Sequence, residues 1–262
     1  TMFLSNFFGY ILLLPIYFFR QYLSISFSNL VLLFIGGFFQ AIAVKNFYEA
    51  MQTGEIAIVT PISASYPLVS VILFILFLGS KLNFITGIAI FILILGIVLT
   101  STDIKKLKNI REAKGVNQAI IAFFIWGVEF FVLDLVAKEH ILFGISFPET
   151  SYIAVFFFSS LFNGLFMLVY SLMNKGLPTK LEIKDIKKPI LIILITAITY
   201  AFTWIVVNYG LAIGNSAVVT SISSIYPLIC VILAMIFYKE KLVLNQKIGI
   251  VTIVIGLVLI SL

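Results

Sequence analysis

The sequence predicts an all-α polytopic membrane protein. Three observations support this prediction: an apolar composition, a series of apolar stretches long enough to span a bilayer, and an internal repeat. Of the 262 residues, 62% are hydrophobic and 11% are charged, and the mean hydropathy is +1.19. Soluble domains contain about 45–50% apolar and about 25% charged residues. The composition therefore excludes a soluble enzyme and a nucleic-acid-binding module, because so few charged side chains cannot cover a globule of this size.

Nine apolar stretches of membrane-spanning length follow one another along the chain. A helix needs about 20 apolar residues to cross a hydrocarbon core of about 30 Å. None of the stretches alternates between apolar and polar residues as barrel strands do, and short links rich in Gly, Asn and charge separate them. The predicted helical spans are residues 2–19, 30–52, 57–79, 83–101, 117–137, 150–173, 189–212, 217–238 and 246–262.

An internal repeat relates two parts of the chain at an offset of 160 residues. Aligned without a gap, residues 41–102 are identical to residues 201–262 at 22 of 62 positions, whereas about a tenth is expected by chance in so aliphatic a composition. Hydrophobicity alone does not explain the matching polar and special residues. These pairs include Gly54 with Gly214, Ser63 with Ser223, Tyr66 with Tyr226, Pro67 with Pro227, and Gly96 with Gly256.

The repeat predicts an inverted architecture. Five predicted spans separate equivalent points of the two copies, so the copies enter the membrane in opposite orientations, as in many secondary transporters. The span at 117–137 has its counterpart before residue 1, and the chain begins with Thr1 rather than Met, so we expect a first helix that this sequence lacks. The predicted domains are a first repeat over residues 1–102 (helices two to five), a basic loop over 103–116, and a second repeat over 117–262 (helices six to ten).

Two segments resemble a known family. They are AIVTPISASYPLVSVILFILFLGSKL at residues 57–82 and AVVTSISSIYPLICVILAMIFYKEKLVLNQKIGIVTIVIGLVL at residues 217–259. They resemble the EamA-like branch of the drug/metabolite transporter superfamily, above all in the small residues before the Tyr-Pro-Leu triplet and in the turn that begins at Glu240. The resemblance covers essentially the whole chain. Ser80 departs from it, because the first copy's turn lacks the acidic residue, and the missing first helix would leave one side of the cavity open.

The resemblance implies ten helices in two inverted five-helix repeats around a central substrate cavity. It also implies a transporter of amino acids, metabolites or drugs. We therefore expect a secondary transporter that moves a small organic solute by alternating access, in the direction of export. The alternative is a non-transporting membrane scaffold, or a fragment that needs a partner helix. The sequence has no HExxH, GxSxG or P-loop motif and no interfacial cluster of His, Asp or Arg, so we expect no enzymatic activity.

Prolines divide two of the predicted spans. Pro67 and Pro227 lie near the middle of their spans, where proline removes a backbone donor and clashes with the carbonyl group four residues back. We expect both helices to bend there as hinges, with the carbonyl groups of Ser63 and Ser223 left free. A static kink is the alternative. The substrate contacts expected around the two bends are Ser63, Tyr66, Ser223 and Tyr226.

Ionisable groups inside a span are costly, so they face a cavity or a partner. Lys45 and Glu49 lie one helical turn apart, which predicts a charge pair. Glu129 lies near the centre of its span and is the candidate for carrying protons that drive transport. The alternative is a structural ion pair between Glu129 and Lys45.

Aromatic and amide side chains add further candidates. Trp126 precedes Glu129 by about one turn, and Trp204 and Asn208 share one face of the span at 189–212. Aromatic rings with a polar tip suit a cavity that holds a small amphipathic solute, so we expect these three residues to contact substrate. The alternative places the tryptophans at the membrane interface as anchors.

Metal ions and cofactors are not expected. Cys230 and His140 are the only residues of their types, which argues against a disulfide or a metal site. The expected partners are the lipid bilayer, a small-molecule substrate and protons, and no nucleic acid. The expected location is a bacterial or archaeal cell membrane.

Basic residues are unequally divided between the two sides that nine alternating spans define. Arg20, Lys81 and Lys138 lie on one side, and 13 basic residues lie on the other. The positive-inside rule makes the side with 13 cytoplasmic and places Leu262 outside. The family resemblance implies the opposite orientation, with both chain ends in the cytoplasm. The loops that hold the 13 residues are 102–116, 174–188 and 239–247.

Overall fold

The computed structural model describes residues 23–54, 56–101, 114–173, 187–238 and 243–260. Within these ranges the chain is helical apart from short links and one small hairpin. The predicted span at residues 2–19 and most of the basic loop residues lie outside the described ranges.

Ten helices and two strands make up the described part of the chain. In chain order they are α1 (Phe27–Thr53), α2 (Ile56–Ala64), α3 (Pro67–Leu78), α4 (Phe84–Ser101), α5 (Val116–Ala137), β1 (His140–Leu142), β2 (Ile145–Phe147), α6 (Tyr152–Met173), α7 (Lys187–Ile213), α8 (Ser216–Ser223), α9 (Tyr226–Tyr238) and α10 (Leu244–Ile260). The strands form an antiparallel hairpin in which His140 pairs with Phe147 and Leu142 with Ile145.

Five helical segments are long and apolar enough to cross a membrane. They are Phe27–Thr53, Val59–Leu78, Val116–Ala137, Tyr152–Met173 and Leu194–Ile213. Three shorter apolar helices cover Phe84–Thr100, Ser216–Ile229 and Leu244–Leu259. The described chain is thus a mostly helical polytopic membrane protein, as the composition predicts.

Asparagine residues in the short links begin two of the helices. The Oδ1 of Asn83 accepts the backbone N–H of Ile85 at 3.1 Å, ahead of α4. The Oδ1 of Asn215 accepts the N–H of Ala217 at 3.0 Å, ahead of α8. Each side chain satisfies a donor that the first turn of a helix leaves without an intrahelical partner. The polar links therefore set where these helices start.

The expected bend at Pro67 is a break in the helix, and the same break occurs at the equivalent place in the second copy. Helix α2 ends at Ala64 and α3 begins at Pro67. Proline at the first helical position loses no hydrogen bond, because that position has no intrahelical acceptor for an N–H. The expectation of a free carbonyl group at Ser63 is wrong, because the Ser63 oxygen accepts the N–H of Tyr66 at 3.3 Å. This hydrogen bond joins residues three apart, as in a 3₁₀ turn. It replaces the α-helical hydrogen bond that Pro67 cannot donate to the same carbonyl.

The chain divides into two compact units, and each draws on both sequence repeats. The first unit consists of the described residues within Thr1–Ala41 and Val132–Ile213. The second consists of those within Ile42–Phe131 and Gly214–Leu262.

Aromatic contacts and one glycine pack α1 against α6 in the first unit. The ring of Phe34 lies 5.3 Å from that of Phe162 and 5.1 Å from that of Phe166, both at steep angles typical of edge-to-face pairs. A Cβ atom at Gly37 would lie 2.5 Å from the Cβ of Phe162. The two helices approach this closely because position 37 has no side chain.

Helices α4 and α10 pack against each other in the second unit through a reciprocal contact. A Cβ at Gly96 would lie 2.7 Å from the backbone N of Ile253, and a Cβ at Gly256 would lie 2.9 Å from the backbone N of Leu93. The offset of 160 residues makes Gly96 equivalent to Gly256 and Leu93 equivalent to Ile253. Each copy therefore presents the same glycine to the same position of the other copy, as in a contact across a two-fold axis.

Candidate functional site

The break between α2 and α3 brings Tyr66 to the centre of a buried polar contact. Its side chain is 5% exposed, and its hydroxyl lies 2.9 Å from the Oγ of Ser223, at the end of α8. The Oγ of Ser223 donates to the carbonyl of Thr220 at 2.7 Å. Because a serine hydroxyl has one proton, the Tyr66 hydroxyl must be the donor in the pair. A directed chain of hydrogen bonds thus runs from Tyr66 through Ser223 to the backbone of α8.

Helix α5 covers the ring of Tyr66 with aromatic side chains. Phe130 stacks on it with ring centroids 5.0 Å apart, and Trp126 meets it edge-on at 6.1 Å. Trp126 also contacts Phe47 of α1 at 5.0 Å. A Cβ at Gly127 would lie 2.9 Å from the carbonyl oxygen of Tyr66, so this glycine permits the close approach of α5. The side chains of Phe130 and Trp126 thus hold the ring of Tyr66 in place, and its hydroxyl faces the Oγ of Ser223.

Glu129 adds a carboxyl group to this cluster. Its side chain is buried, and among the described residues its Oε2 has no hydrogen-bond partner. The carboxyl group of Glu129 and the hydroxyl of Tyr226 both lie close enough to the Tyr66 hydroxyl to interact with it electrostatically. A buried carboxyl oxygen without a hydrogen-bond partner costs free energy, which a bound hydrogen-bond donor would offset.

Lys45 and Glu49 form the predicted charge pair, with Nζ and Oε1 3.4 Å apart on α1. Both side chains are partly exposed, at 35% and 42%. The alternative prediction, an ion pair between Glu129 and Lys45, stays a prediction.

The other predicted substrate contacts, at Ser63, Trp204 and Asn208, make hydrogen bonds within their own helices. The Oγ of Ser63 donates within its own helix, to the carbonyls of Val59 at 3.0 Å and Thr60 at 3.2 Å. In the first unit, the Nδ2 of Asn208 donates to the carbonyl of Trp204 at 2.8 Å, so the two residues share a helix face as predicted. Tyr66, Trp126, Glu129, Ser223 and Tyr226 are the predicted residues that the second unit brings together.

Phe130 is a contact of Tyr66 that the sequence analysis missed. The signal was available, because Phe130 lies four residues after Trp126 and therefore on the same helix face. Within the described ranges, no group of three or more His, Cys, Asp and Glu side chains is placed to hold a metal ion.

The hydrogen bond between Tyr66 and Ser223 predicts an asymmetric mutational response. In Tyr66→Phe the hydroxyl of Ser223 still donates to Thr220, whereas in Ser223→Ala the Tyr66 hydroxyl loses the acceptor that the structure shows for it. We expect Ser223→Ala to destabilise the protein by about 1–3 kcal/mol and Tyr66→Phe by about 1 kcal/mol or less. Thermal unfolding in detergent micelles measures both, with the exposed Tyr48→Phe as the control. A larger loss in Tyr66→Phe would contradict the donor assignment.

Comparisons with known proteins identify the family of this chain and a solved structure with a similar fold. The model of the EamA-like transporter family matches residues 1–102 and 113–262. The uncharacterized protein MJ1333.1 of Methanocaldococcus jannaschii is 41% identical over 68 residues, which are 26% of this chain and 50% of that protein. The chain thus spans about half the length of this curated relative. A solved crystal structure of another protein has a similar fold, with a TM-score of 0.63 and 12% identity, over 99% of this chain and 98% of that chain.

Proposed function

Because the chain belongs to the EamA-like transporter family, we propose that it is a secondary transporter that exports a small organic solute by alternating access. Amino acids, metabolites and drugs are the candidate solutes. The observation that carries the proposal is the hydrogen bond between Tyr66 and Ser223. It joins the broken helix of one repeat to the broken helix of the other, and transporters of inverted-repeat architecture bind substrate at such breaks.

The proposed architecture has nine spans arranged as an inverted repeat, with residues 1–102 and 117–262 as its two copies. The reciprocal contact of Gly96 and Gly256 across α4 and α10 supports it, because a two-fold relation requires such a pair. The eight apolar helical segments of the described chain are compatible with this arrangement, and the ninth span is the stretch at 2–19.

The proposed substrate site is the cluster around Tyr66. Tyr66, Ser223 and Tyr226 offer hydroxyl groups, and Trp126 offers a flat apolar surface beside them. This combination suits a small solute with both polar and apolar parts. The substrate contacts predicted at Ser63, Trp204 and Asn208 stay predictions.

The proposed hinges are the two breaks before Pro67 and Pro227. At Pro67 a three-residue hydrogen bond replaces the missing helical bond, so the segments on either side can tilt without losing a regular bond. Movement there would stretch the bond from Tyr66 to Ser223. Breaking and remaking that bond is the proposed local event that accompanies alternating access.

Protons are the proposed coupling ion, and Glu129 is the proposed carrier. The partly exposed pair of Lys45 and Glu49 is a second candidate for the same role.

Uptake of solute by liposomes that contain the purified chain tests the proposed function. The liposomes would contain a pH-sensitive dye, and a panel of amino acids, nucleobases and cationic drugs would be added outside. At least one solute should move protons above the level of protein-free liposomes, and a panel without any response would oppose the proposal.

The unequal division of basic residues predicts the orientation in a bacterial or archaeal cell membrane. We propose that the loops at 102–116, 174–188 and 239–247 are cytoplasmic. Single cysteines replace Lys108 and Leu262 in a chain whose Cys230 is serine, and a membrane-impermeant maleimide is added to intact cells. We expect labelling at position 262 and none at 108. Labelling at 108 alone would favour the orientation that the family resemblance implies.

A further inference from the structure

The hydroxyl group of Thr220 differs in its hydrogen bonding from its neighbours in α8. The hydroxyl groups of Ser221 and Ser223 each donate at 2.7 Å to a backbone carbonyl of their own helix. The side chain of Thr220 is fully buried, yet its Oγ1 has no hydrogen-bond partner among the described residues. A buried hydroxyl group without such a partner costs free energy. We therefore expect the Oγ1 of Thr220 to bind a polar group that is not part of the described chain.

The equivalent threonine of the first copy has a hydrogen-bond partner. Thr60 corresponds to Thr220 at the offset of 160 residues, and its Oγ1 donates to the Sδ of Met51 at 3.7 Å. The residue that corresponds to Met51 is Leu211, whose side chain has no hydrogen-bond acceptor. The second copy thus retains the threonine hydroxyl without the side chain that satisfies it in the first copy.

Thr220 belongs to a polar stripe of α8 that consists of Ser216, Thr220 and Ser223. These residues are spaced by four and three positions, so they share one face of the helix. Ser216 is buried and directly follows Asn215, an exposed residue whose side chain caps the helix. At about 1.5 Å per residue, Ser223 lies about 10 Å along the axis from Ser216. The polar stripe therefore joins the exposed start of α8 to the Oγ that accepts the hydroxyl of Tyr66.

Protons need a path to Glu129 other than the hydrogen bond between Tyr66 and Ser223. That chain of hydrogen bonds ends on the carbonyl of Thr220, and a backbone carbonyl has no proton to pass on. Water molecules pass protons on, and one water with two hydrogen bonds of about 2.8 Å bridges hydroxyl groups about 6 Å apart, the spacing of positions 216 and 220. The buried Oε2 of Glu129 lacks a hydrogen-bond partner among the described residues and is a suitable acceptor for the last water.

We propose that Thr220 is a positioning residue for proton transfer, and that its Oγ1 binds one of a row of waters leading along the polar stripe from Asn215 to Glu129. An O–H bond of the last water breaks as an O–H bond forms on the Glu129 carboxylate, and this water takes a proton from the water before it. The net change is one proton moved from the solution at the start of α8 to Glu129.

The inference rests on the proposed role of Glu129 as the proton carrier, and it adds the side from which the proton arrives. In the proposed nine-span arrangement, α8 begins on the side opposite the strongly basic loops. That side is the outer one in the proposed orientation, so protons would enter from outside while solute is exported.

Thr220→Val tests the route, because valine has the shape of threonine without its hydroxyl group. In liposomes with the pH-sensitive dye and a solute to which the unmodified chain responds, we expect Thr220→Val to move protons at least about tenfold more slowly, because one hydrogen bond of the path is lost. Thr220→Ala should behave alike, whereas Thr220→Ser keeps the hydroxyl and should keep the unmodified rate. The matched control is Thr60→Val, which should also keep that rate because the Thr60 hydroxyl already bonds to Met51.

A second measurement needs neither solute nor transport. In acidic buffer, the protonated carboxyl group of Glu129 gives an infrared band that Glu129→Gln lacks. When the chain in detergent micelles is transferred to heavy water, this band shifts as deuterium replaces the proton. We expect the exchange to be at least about tenfold slower in Thr220→Val than in the unmodified chain, Thr220→Ser and Thr60→Val. Thermal unfolding in the same micelles identifies any variant that does not fold.

Three results would overturn the route. Equal exchange rates in Thr220→Val and the unmodified chain would mean that protons do not pass Thr220. Equal slowing in Thr60→Val would mean that the path is not confined to α8. Slowing that Thr220→Ser shares would show that packing, and not the hydroxyl group, is responsible. If the exchange rates follow the expectation but no solute moves protons, the route is supported and the proposed transport function fails.

Discussion

Glu129→Gln is expected to reduce proton-driven solute accumulation in liposomes to the level of protein-free liposomes. Glutamine has nearly the same shape as glutamate but cannot carry a proton in and out of the site. The carboxyl group it replaces is buried, and its Oε2 has no hydrogen-bond partner among the described residues. A buried ionisable group inside a membrane span costs free energy, and such groups in membrane proteins usually serve a function. The measurement is dye-reported proton movement on addition of a solute to which the unmodified chain responds.

The control for this prediction is Glu149→Gln, an exposed carboxylate on the link before α6. It should transport like the unmodified chain. Solute binding by Glu129→Gln is expected to persist, because the hydroxyl groups of Tyr66 and Ser223 stay in place. If Glu129→Gln accumulates solute with the same dependence on the pH gradient as the unmodified chain, Glu129 is not the coupling group. The pair of Lys45 and Glu49 would then become the leading candidate.

The repeat made part of this site predictable from the sequence. The Ser and Tyr-Pro residues around both helix breaks recur at an offset of 160 residues, and the structure places the hydroxyl groups of Tyr66 and Ser223 2.9 Å apart. The pair of Lys45 and Glu49 was predictable for a simpler reason, since helical spacing alone determines it. Local geometry and repetition thus identify residues that belong together without three-dimensional information.

The details of bonding were not predictable, because they depend on neighbours that are distant in sequence. The expected free carbonyl group of Ser63 is occupied by the N–H of Tyr66, and its hydroxyl is bonded within α2. The sequence shows that Pro67 has no N–H to donate to the carbonyl of Ser63. It does not show which other N–H group will donate to that carbonyl instead. The hairpin at His140–Phe147 was also missed. Strands of three residues are too short to give an alternating pattern, and the turn residue Phe143 is not a typical turn former.

Gly96→Ala is expected to destabilise the protein by about 1–3 kcal/mol, the range for overpacking a well-packed interior. The added methyl group would lie 2.7 Å from the backbone N of Ile253 and 2.8 Å from its side-chain Cγ1. Backbone cannot rotate away as a side chain does, so α4 and α10 must separate. Thermal unfolding in detergent micelles, followed by tryptophan fluorescence, should show a midpoint lowered by several degrees.

The matched control lies on the same helix. A Cβ at Gly87 has no neighbour within 4 Å among the described residues, apart from the backbone of α4 itself, so Gly87→Ala should leave stability unchanged or raise it by up to about 1 kcal/mol. Gly256→Ala should cost about as much as Gly96→Ala, since its Cβ would lie 2.9 Å from the backbone N of Leu93. The double substitution should cost less than the sum of the two, because one separation of the helices relieves both clashes. If the losses of stability in the two single variants add exactly in the double variant, or if only one of the two substitutions lowers stability, the two glycines do not act as one symmetric contact.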